Sequence, residues 1–436
     1  MSNTLCSYVF AHTDIEPNGD IKFCCAANHG INRDSDGKVF NITTHTLKEA
    51  WNSEILKKTR MEMIAGQRPE ACQFCWSVEN SDNTQGNSVR LQAAEKRIPI
   101  RSVADRIEYA KNHNGELNDL AFDFQLSIGN LCNLACKMCI PGYSTQYQKF
   151  FAKFHDTPQE INFVKNLPVK KIEHFEFPFG TTFDWPLTHS LPEIFKEHMP
   201  TLKTVFFTGG EPTLIPEVLD FINVLSTRTS ENFTIWISTN CTNINKELLE
   251  ALEKFNNIWL NLSLDGMGDI AYIQRTPSRW NSIEKNVDQL IDWVREQKNA
   301  GKEMHISVIT TLTSLNFHHI LDFWEYFENR HGNMVNYSAS NLVMDRMVNF
   351  GIETVPRTLI PELKTKCSQL LEKYDDRVAH ALNQYLYLLD TVNFADDLEQ
   401  IHYCLEQLQK YHPELDIKKI YHVYYPDQLT PESIII

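Results

Sequence analysis

The chain of 436 residues reads as an α/β protein: a partial, TIM-like (β/α)6 barrel preceded by a small hairpin–helix unit and followed by a helical tail. Three observations predict this. From residue 120 onward, short β-like runs alternate with helical ones, the pattern of a parallel sheet with outer helices. Residues 1–85 hold five of the eleven cysteines around turn signals and one helical run. Beyond 350 the apolar positions take only a three–four spacing.

The composition bounds the rest. Hydrophobic residues make up 42% and the formal net charge is −15. Proteins that grip duplex nucleic acid by its phosphates carry a basic face, so such a partner is not expected. There is no run of about eighteen apolar residues, so no membrane-spanning helix is expected. The opening MSNTLCSYVFAHTDIEPNGD lacks a basic stretch followed by a long apolar one. With no export signal expected, eleven cysteines argue for metal or cluster binding in a reducing cytoplasm rather than for disulfides.

The first unit, 1–85, opens with SYVFAHTDI and IKFCC, joined by Pro17, Asn18, Gly19 and Asp20 as a hairpin that delivers Cys24. Thr46 then caps a helix over LKEAWNSEILKKTRMEMIAG, where Leu47, Trp51, Ile55 and Met63 share a face and Gly66 is the stop. ACQFCW supplies a CxxC. Four thiolates from this unit, with Cys25 as a spare, suit a zinc ion or an iron–sulfur cubane. Residues 86–119 form a polar linker with a helix near 90–112, whose Arg and Lys residues read as a solvated face.

Over 120–350, strands are expected near 120–128, 203–208, 233–238, 258–264, 304–310 and 334–341. Helices are expected near 144–155, 216–228, 245–255, 281–299 and 316–329. Residues 156–200 are longer than an ordinary connection and rich in aromatics, including FDWP; packing is favoured over a lid. In 351–436, Leu398, Ile401, Leu405 and Leu408 line a helix ended by Pro413, and Cys367 and Cys404 read as core residues.

The chemistry concentrates where strands end. GNLCNLACKMCIPGY, 129–143, follows the first barrel strand and places Cys132, Cys136 and Cys139 on one loop in CxxxCxxC spacing. Barrel enzymes carry their chemistry at that end of the strands. Three thiolates hold three irons of a cubane and leave the fourth iron open, whereas zinc wants four ligands. The second strand ends in Thr208–Gly209–Gly210–Glu211–Pro212. Two glycines let backbone carbonyls approach a ligand, and a carboxylate suits an ammonium group. The third ends in Ser238–Thr239–Asn240 and the fourth in Ser263 and Asp265, with Arg275 twelve residues beyond Ser263.

Cys132, Cys136 and Cys139 resemble the cluster loop of the radical S-adenosylmethionine (SAM) superfamily, whose usual fold is the partial (β/α)6 barrel. The position before the last cysteine is usually aromatic there; here it is Met138, which still packs against an adenine ring. Gly209, Gly210 and Glu211 resemble the element that binds the SAM amino group. Ser238 and Asn240 lie where ribose or carboxylate is expected. Ser263 and Arg275 resemble a serine–arginine pair that contacts ribose and the SAM carboxylate. Cys6, Cys24, Cys72 and Cys75 resemble the ligands of twitch, a shortened SPASM module, which in most relatives follows the barrel and here precedes it.

The resemblance implies two [4Fe-4S] clusters, one SAM-binding and one auxiliary, and a reductant such as flavodoxin or ferredoxin. It implies reductive cleavage of SAM to a 5′-deoxyadenosyl radical that abstracts a substrate hydrogen. Four ligands saturate the auxiliary cluster, which favours a net oxidation or bond-forming modification. A small molecule of the sugar or amino-alcohol type is favoured as substrate, since neither end of the chain leaves room for a separate peptide-binding domain. A peptide or protein side chain is the runner-up. A non-catalytic iron–sulfur or zinc scaffold would account for the cysteines but not for GGEP, STN and SLDG at successive strand ends.

Overall fold

Ten strands carry the architecture of the computed structural model, which describes residues 3–27, 31–80, 88–154, 182–228, 230, 232–340, 350–396 and 398–424. They are β1 (His12–Ile15), β2 (Ile21–Lys22), β3 (Asp123–Ser127), β4 (Ala135–Cys136), β5 (Thr204–Thr208), β6 (Thr234–Thr239), β7 (Asn257–Ser263), β8 (Arg275–Thr276), β9 (Glu303–Thr311) and β10 (Asn336–Ser340). Eight form one sheet in the order β10-β9-β7-β6-β5-β3-β1-β2, and β4 pairs with β8 in a separate ribbon. The six barrel strands read from the sequence, β3, β5, β6, β7, β9 and β10, are all present and all parallel. The helices Pro216–Arg228, Lys246–Leu252, Trp280–Asn299 and Ile320–His331 lie between them in sequence, so the chain is α/β with a mostly parallel sheet.

Strand alternation sorts the two faces. Leu126, Phe207, Ile237, Leu260 and Val308 are buried with Phe221, Leu249 and Val287 from the helices in one continuous core. The other face carries a row at one level: Phe206, Trp236, Trp259 and His305 are register partners. Their ring centroids follow at 4.3, 5.2 and 4.7 Å. Above them towards the strand C-termini, the half-buried Ser238, Asn261, Ser263 and Ser307 give that face uncharged polar groups.

The N-terminal hairpin adds to this sheet. β1 pairs with β2 antiparallel, and with β3 in parallel through His12↔Asp123, Thr13↔Phe124, Asp14↔Gln125 and Ile15↔Leu126. The expected single helix after Thr46 is two, Leu47–Trp51 and Glu54–Ile64. Thr46 makes a full capping box with Glu49, and Ser53 caps the second helix by accepting from the Leu56 amide. Arg60, fully buried, fills the joint: it donates to the carbonyls of Val9, Trp51 and Gly115. The linker helix near 90–112 is likewise broken, with Pro99 separating Ala93–Arg97 from Ile100–Val103 and Ala104–Asn112.

Residues 155–181 of the aromatic insertion lie outside the described residues. Its end packs: Trp185 is buried and donates to the Pro17 carbonyl at 2.8 Å. The tail helices Ile360–Lys373, Asp376–Thr391 and Glu399–Tyr411 are as expected in kind. Ile401, Leu405 and Leu408 build a second core with Ile270, Ile273 and Leu315. Cys367 and Cys404 are buried core thiols, at 0% and 2% exposure. Among the described residues no helix is long and apolar enough to cross a membrane.

Candidate functional site: two cysteine centres at the strand ends

The loop after β3 folds back on the start of the next helix. Ser144 donates to the Leu134 carbonyl at 2.6 Å, and the Thr145 amide donates to the Asn130 carbonyl at 2.9 Å. This returns Cys132, Cys136 and Cys139 to one place, where they pack with Leu134 and Met138 in a small separate cluster. Burial pushes the Cys132 thiol up to about 12 and raises Cys136 and Cys139 too; neighbouring thiolates add to the rise at Cys132 and Cys139. Three crowded thiols that resist ionising are the donor set that irons would stabilise as thiolates, with release of protons on binding.

The GGE segment is wedged under this loop. Gly209 has φ +104°, and a Cβ there would stand 2.8 Å from Ser127 Cα. A Cβ on Gly210 would stand 2.3 Å from the Leu131 carbonyl oxygen, next to Cys132. The Glu211 amide donates to that same carbonyl at 2.8 Å. The Glu211 carboxylate is buried at 1% exposure and already occupied. It accepts from the hydroxyls of Thr213 and Thr239, both at 2.7 Å, and from the Asn240 amide at 2.7 Å. Glu211 therefore ties the end of β5 to the end of β6 rather than standing open to an ammonium group.

The remaining strand-end residues gather at the same end. Asn240 Nδ2 donates to Asn133 Oδ1 at 3.1 Å, joining β6 to the cysteine loop. The hydroxyls of Ser238 and Ser263 stand 3.5 Å apart. Arg275, expected at the SAM carboxylate, is engaged elsewhere. Its Nε is 2.6 Å from Asp265 Oδ2 and its Nη1 donates to Cys136 Sγ at 3.5 Å.

The second centre lies in the N-terminal unit. Cys6, Cys24, Cys72 and Cys75 line one cavity, partly open to solvent, with Phe23, Met63 and Arg90. Cys24, not Cys25, is on its wall. Burial pushes Cys6 up to about 12 and raises Cys72 and Cys75. Among the described residues, no three His, Cys, Asp or Glu close to the spacing of a single metal ion. Four thiols around one void are the donor set that a four-iron cubane takes.

Sequence reasoning missed several residues here. Arg90 lines the cavity and is ion-paired to Glu79 at 2.6 Å. Arg97 pairs with Asp123 at 2.9 Å and lies 5.0 Å from the Trp236 ring centre. Both belong to the linker expected to be solvated. Tyr143 donates to Glu16 at 2.9 Å, Lys22 bonds Glu16 at 2.8 Å, and Lys22 donates to the Cys25 carbonyl at 3.2 Å. That chain runs from one cysteine loop to the other. Tyr143, four residues beyond Cys139, was visible as a neighbour of the motif; the arginines carried no local signal.

Comparison with known families agrees with this geometry. Residues 126–327 match the model of the radical SAM superfamily, so the chain carries a radical SAM domain. Residues 6–76 match the SPASM model, described as an iron–sulfur cluster-binding domain, so this member carries that domain ahead of its barrel. No curated protein matches the chain. Among solved structures, native anSMEcpe with bound AdoMet is 17% identical, with TM-score 0.34 over 57% of this chain and 59% of that one. Streptococcus suis SuiB bound to S-adenosylmethionine is 15% identical, with TM-score 0.33 over 77% of this chain and 67% of that one. SuiB bound to precursor peptide SuiA is 16% identical, with TM-score 0.32 over 77% and 66%. The chain thus spans 59% of the length of the first of these.

Proposed function

We propose that the protein is a two-cluster radical SAM oxidase that modifies a small polar molecule. Cys132, Cys136 and Cys139 would hold the SAM-binding cluster, and Cys6, Cys24, Cys72 and Cys75 the auxiliary one. When bound, these groups would supply electron transfer: one electron from an external reductant such as flavodoxin or ferredoxin to cleave SAM to methionine and a 5′-deoxyadenosyl radical that takes a substrate hydrogen, and an acceptor for the electron that the substrate radical then loses.

The chain's own residues bind and orient. The Gly209–Gly210 backbone, wedged under the cysteine loop, receives the SAM amino group. Ser238 and Ser263 hold ribose, Asn240 steadies the cysteine loop through Asn133, and Met138 packs against adenine. The uncharged polar residues above the aromatic row suit a neutral, hydroxylated substrate. Asp14 is register partner of Gln125 on the same sheet face. Burial and then Glu16 raise its pKa well above the usual carboxylate range.

The observation that supports this reading most is that the cysteine loop and the ends of β5 and β6 are laced together by Glu211, Asn133 and Asn240. The test is anaerobic reduction of iron-loaded protein with SAM. Release of 5′-deoxyadenosine is expected, and none from fully loaded protein would leave a non-catalytic scaffold. With metabolites and peptides screened for a SAM-dependent mass change, a two-mass-unit loss on a small molecule supports the finer reading. A modified peptide would replace it.

A further inference from the structure

The loop that carries Cys136 is held from one side by a ribbon outside the main sheet. β4 pairs antiparallel with β8 through Ala135↔Thr276 and Cys136↔Arg275, and the Lys137 amide donates to the Gln274 carbonyl at 2.8 Å. Arg275 is therefore opposite Cys136 by backbone register, whatever its side chain does. The side chain then turns onto the sulfur: Nη1 donates to Cys136 Sγ at 3.5 Å. Asp265 holds it there, with Oδ2 2.6 Å from Nε and the other oxygen accepting from the Thr311 amide at 2.8 Å. The ion pair is nearly dry, with side-chain exposures of 13% for Arg275 and 0% for Asp265. Burial works against the guanidinium charge, and Asp265 and Cys136 more than restore it.

We propose that Arg275, braced by Asp265, is a positioning residue that sets the reduction potential of the cluster held by Cys132, Cys136 and Cys139. This rests on those cysteines holding a cluster. One-electron reduction adds a negative charge to the cluster. A fixed cation and a hydrogen bond to a ligand sulfur stabilise the reduced state, and hydrogen bonds to sulfur and local charge are among the levers that set such potentials. Burial strengthens the effect, because the interaction is poorly screened. Asp265 acts with the opposite sign: it aims the guanidinium but offsets part of its charge. The two members of one ion pair should thus move the potential in opposite directions, which loss of a merely structural contact would not do.

The experiment is an EPR-monitored redox titration of the anaerobically reconstituted full chain, with iron content measured in parallel. The cluster in question is identified by the change of its signal on adding SAM. Arg275→Met should lower its midpoint so that the reduced-to-oxidised ratio at a fixed potential falls about tenfold, equivalent to ~59 mV for one electron. Arg275→Lys should restore part of that fall, and Asp265→Asn should raise the midpoint. A SAM-responsive signal in the parent chain that Arg275→Met leaves in place overturns the proposal. So do shifts of the same sign in Arg275→Met and Asp265→Asn. If Arg275→Met loses its iron, Asp265→Asn decides: an upward shift supports the proposal, and no shift or a downward one overturns it. No SAM-responsive signal in the iron-loaded parent chain would instead refute the SAM-cluster reading itself.

Discussion

Tyr143 and Glu16, 127 positions apart in the chain, are joined by a 2.9 Å hydrogen bond that links the barrel's cysteine loop to the N-terminal hairpin. Glu16 is buried and shared with Lys22, so the phenol donor is not readily replaced by water. Tyr143→Phe removes it and should destabilise the protein by about 1–3 kcal/mol, the cost of taking a partner from a buried charged group. Thermal denaturation should show the lower midpoint while iron content stays unchanged; an unchanged midpoint would mean the link contributes nothing.

The cysteines divide into two sets, and iron analysis should count them. Reconstituted chain should carry about eight irons, for two four-iron clusters. Ala at Cys132, Cys136 and Cys139 together should leave about half and abolish 5′-deoxyadenosine release. Ala at Cys72 and Cys75 should remove the other half and leave SAM cleavage in place. Stoichiometric zinc in the N-terminal set would contradict the auxiliary cluster.

Cys367 and Cys404 are the counter-case. Both thiols sit in the tail's apolar cores, where burial pushes each up to about 12. Changing both to Ala should leave iron content as it was and cost about 1 kcal/mol each, on the scale of removing one buried methyl-sized group. Iron loss from a soluble, folded double variant would overturn their structural assignment.

Asp123 gives a pH signature. Burial alone would raise its pKa, but the Arg97 charge and the hydrogen bond with His12 pull it below its ordinary 3.8. A carboxyl whose folded pKa is depressed contributes stability above the unfolded value and loses it as pH falls through the folded one. Asp123→Asn should therefore cost most at neutral pH, and the gap to the parent chain should narrow below about pH 4. Denaturant midpoints across that range check it; a gap that widened on acidification would have the wrong sign.

What was legible depended on how local the cause was. The barrel strands could be read because their core-facing residues recur at every second position, as in Ile258, Leu260 and Leu262 of β7. The cysteine loop and GGE segment were legible because spacing alone constrains them. The break at Asn52–Ser53 was less so: Trp51 and Ile55 keep helical spacing across it, and only the cap at Ser53 marks the restart. Arg97 read as solvent-facing because its partners, Asp123 and the ring of Trp236, come from distant strands. Glu211 was recognised for a ligand role, yet its four donors come from Thr213, Thr239 and Asn240, which only the folded sheet assembles.

The pairing of β1 with β3 has a consequence for biosynthesis. The two strands are also fastened by His12 and Asp123, 111 positions apart. As the chain leaves the ribosome, β1 emerges with only the two-residue β2 beside it, and its other edge stays open until β3 has followed. An open strand edge is a template for pairing with another chain. That edge of β1 is thus unprotected until β3 has been made, and contacts of such long sequence separation form slowly. The hairpin bearing Cys24 can be completed as an edge of the barrel only after the barrel has begun to exist. If the N-terminal cysteines hold the proposed auxiliary cluster, a cluster delivered to them on the nascent chain would meet an unfinished sheet, which would put sheet before iron.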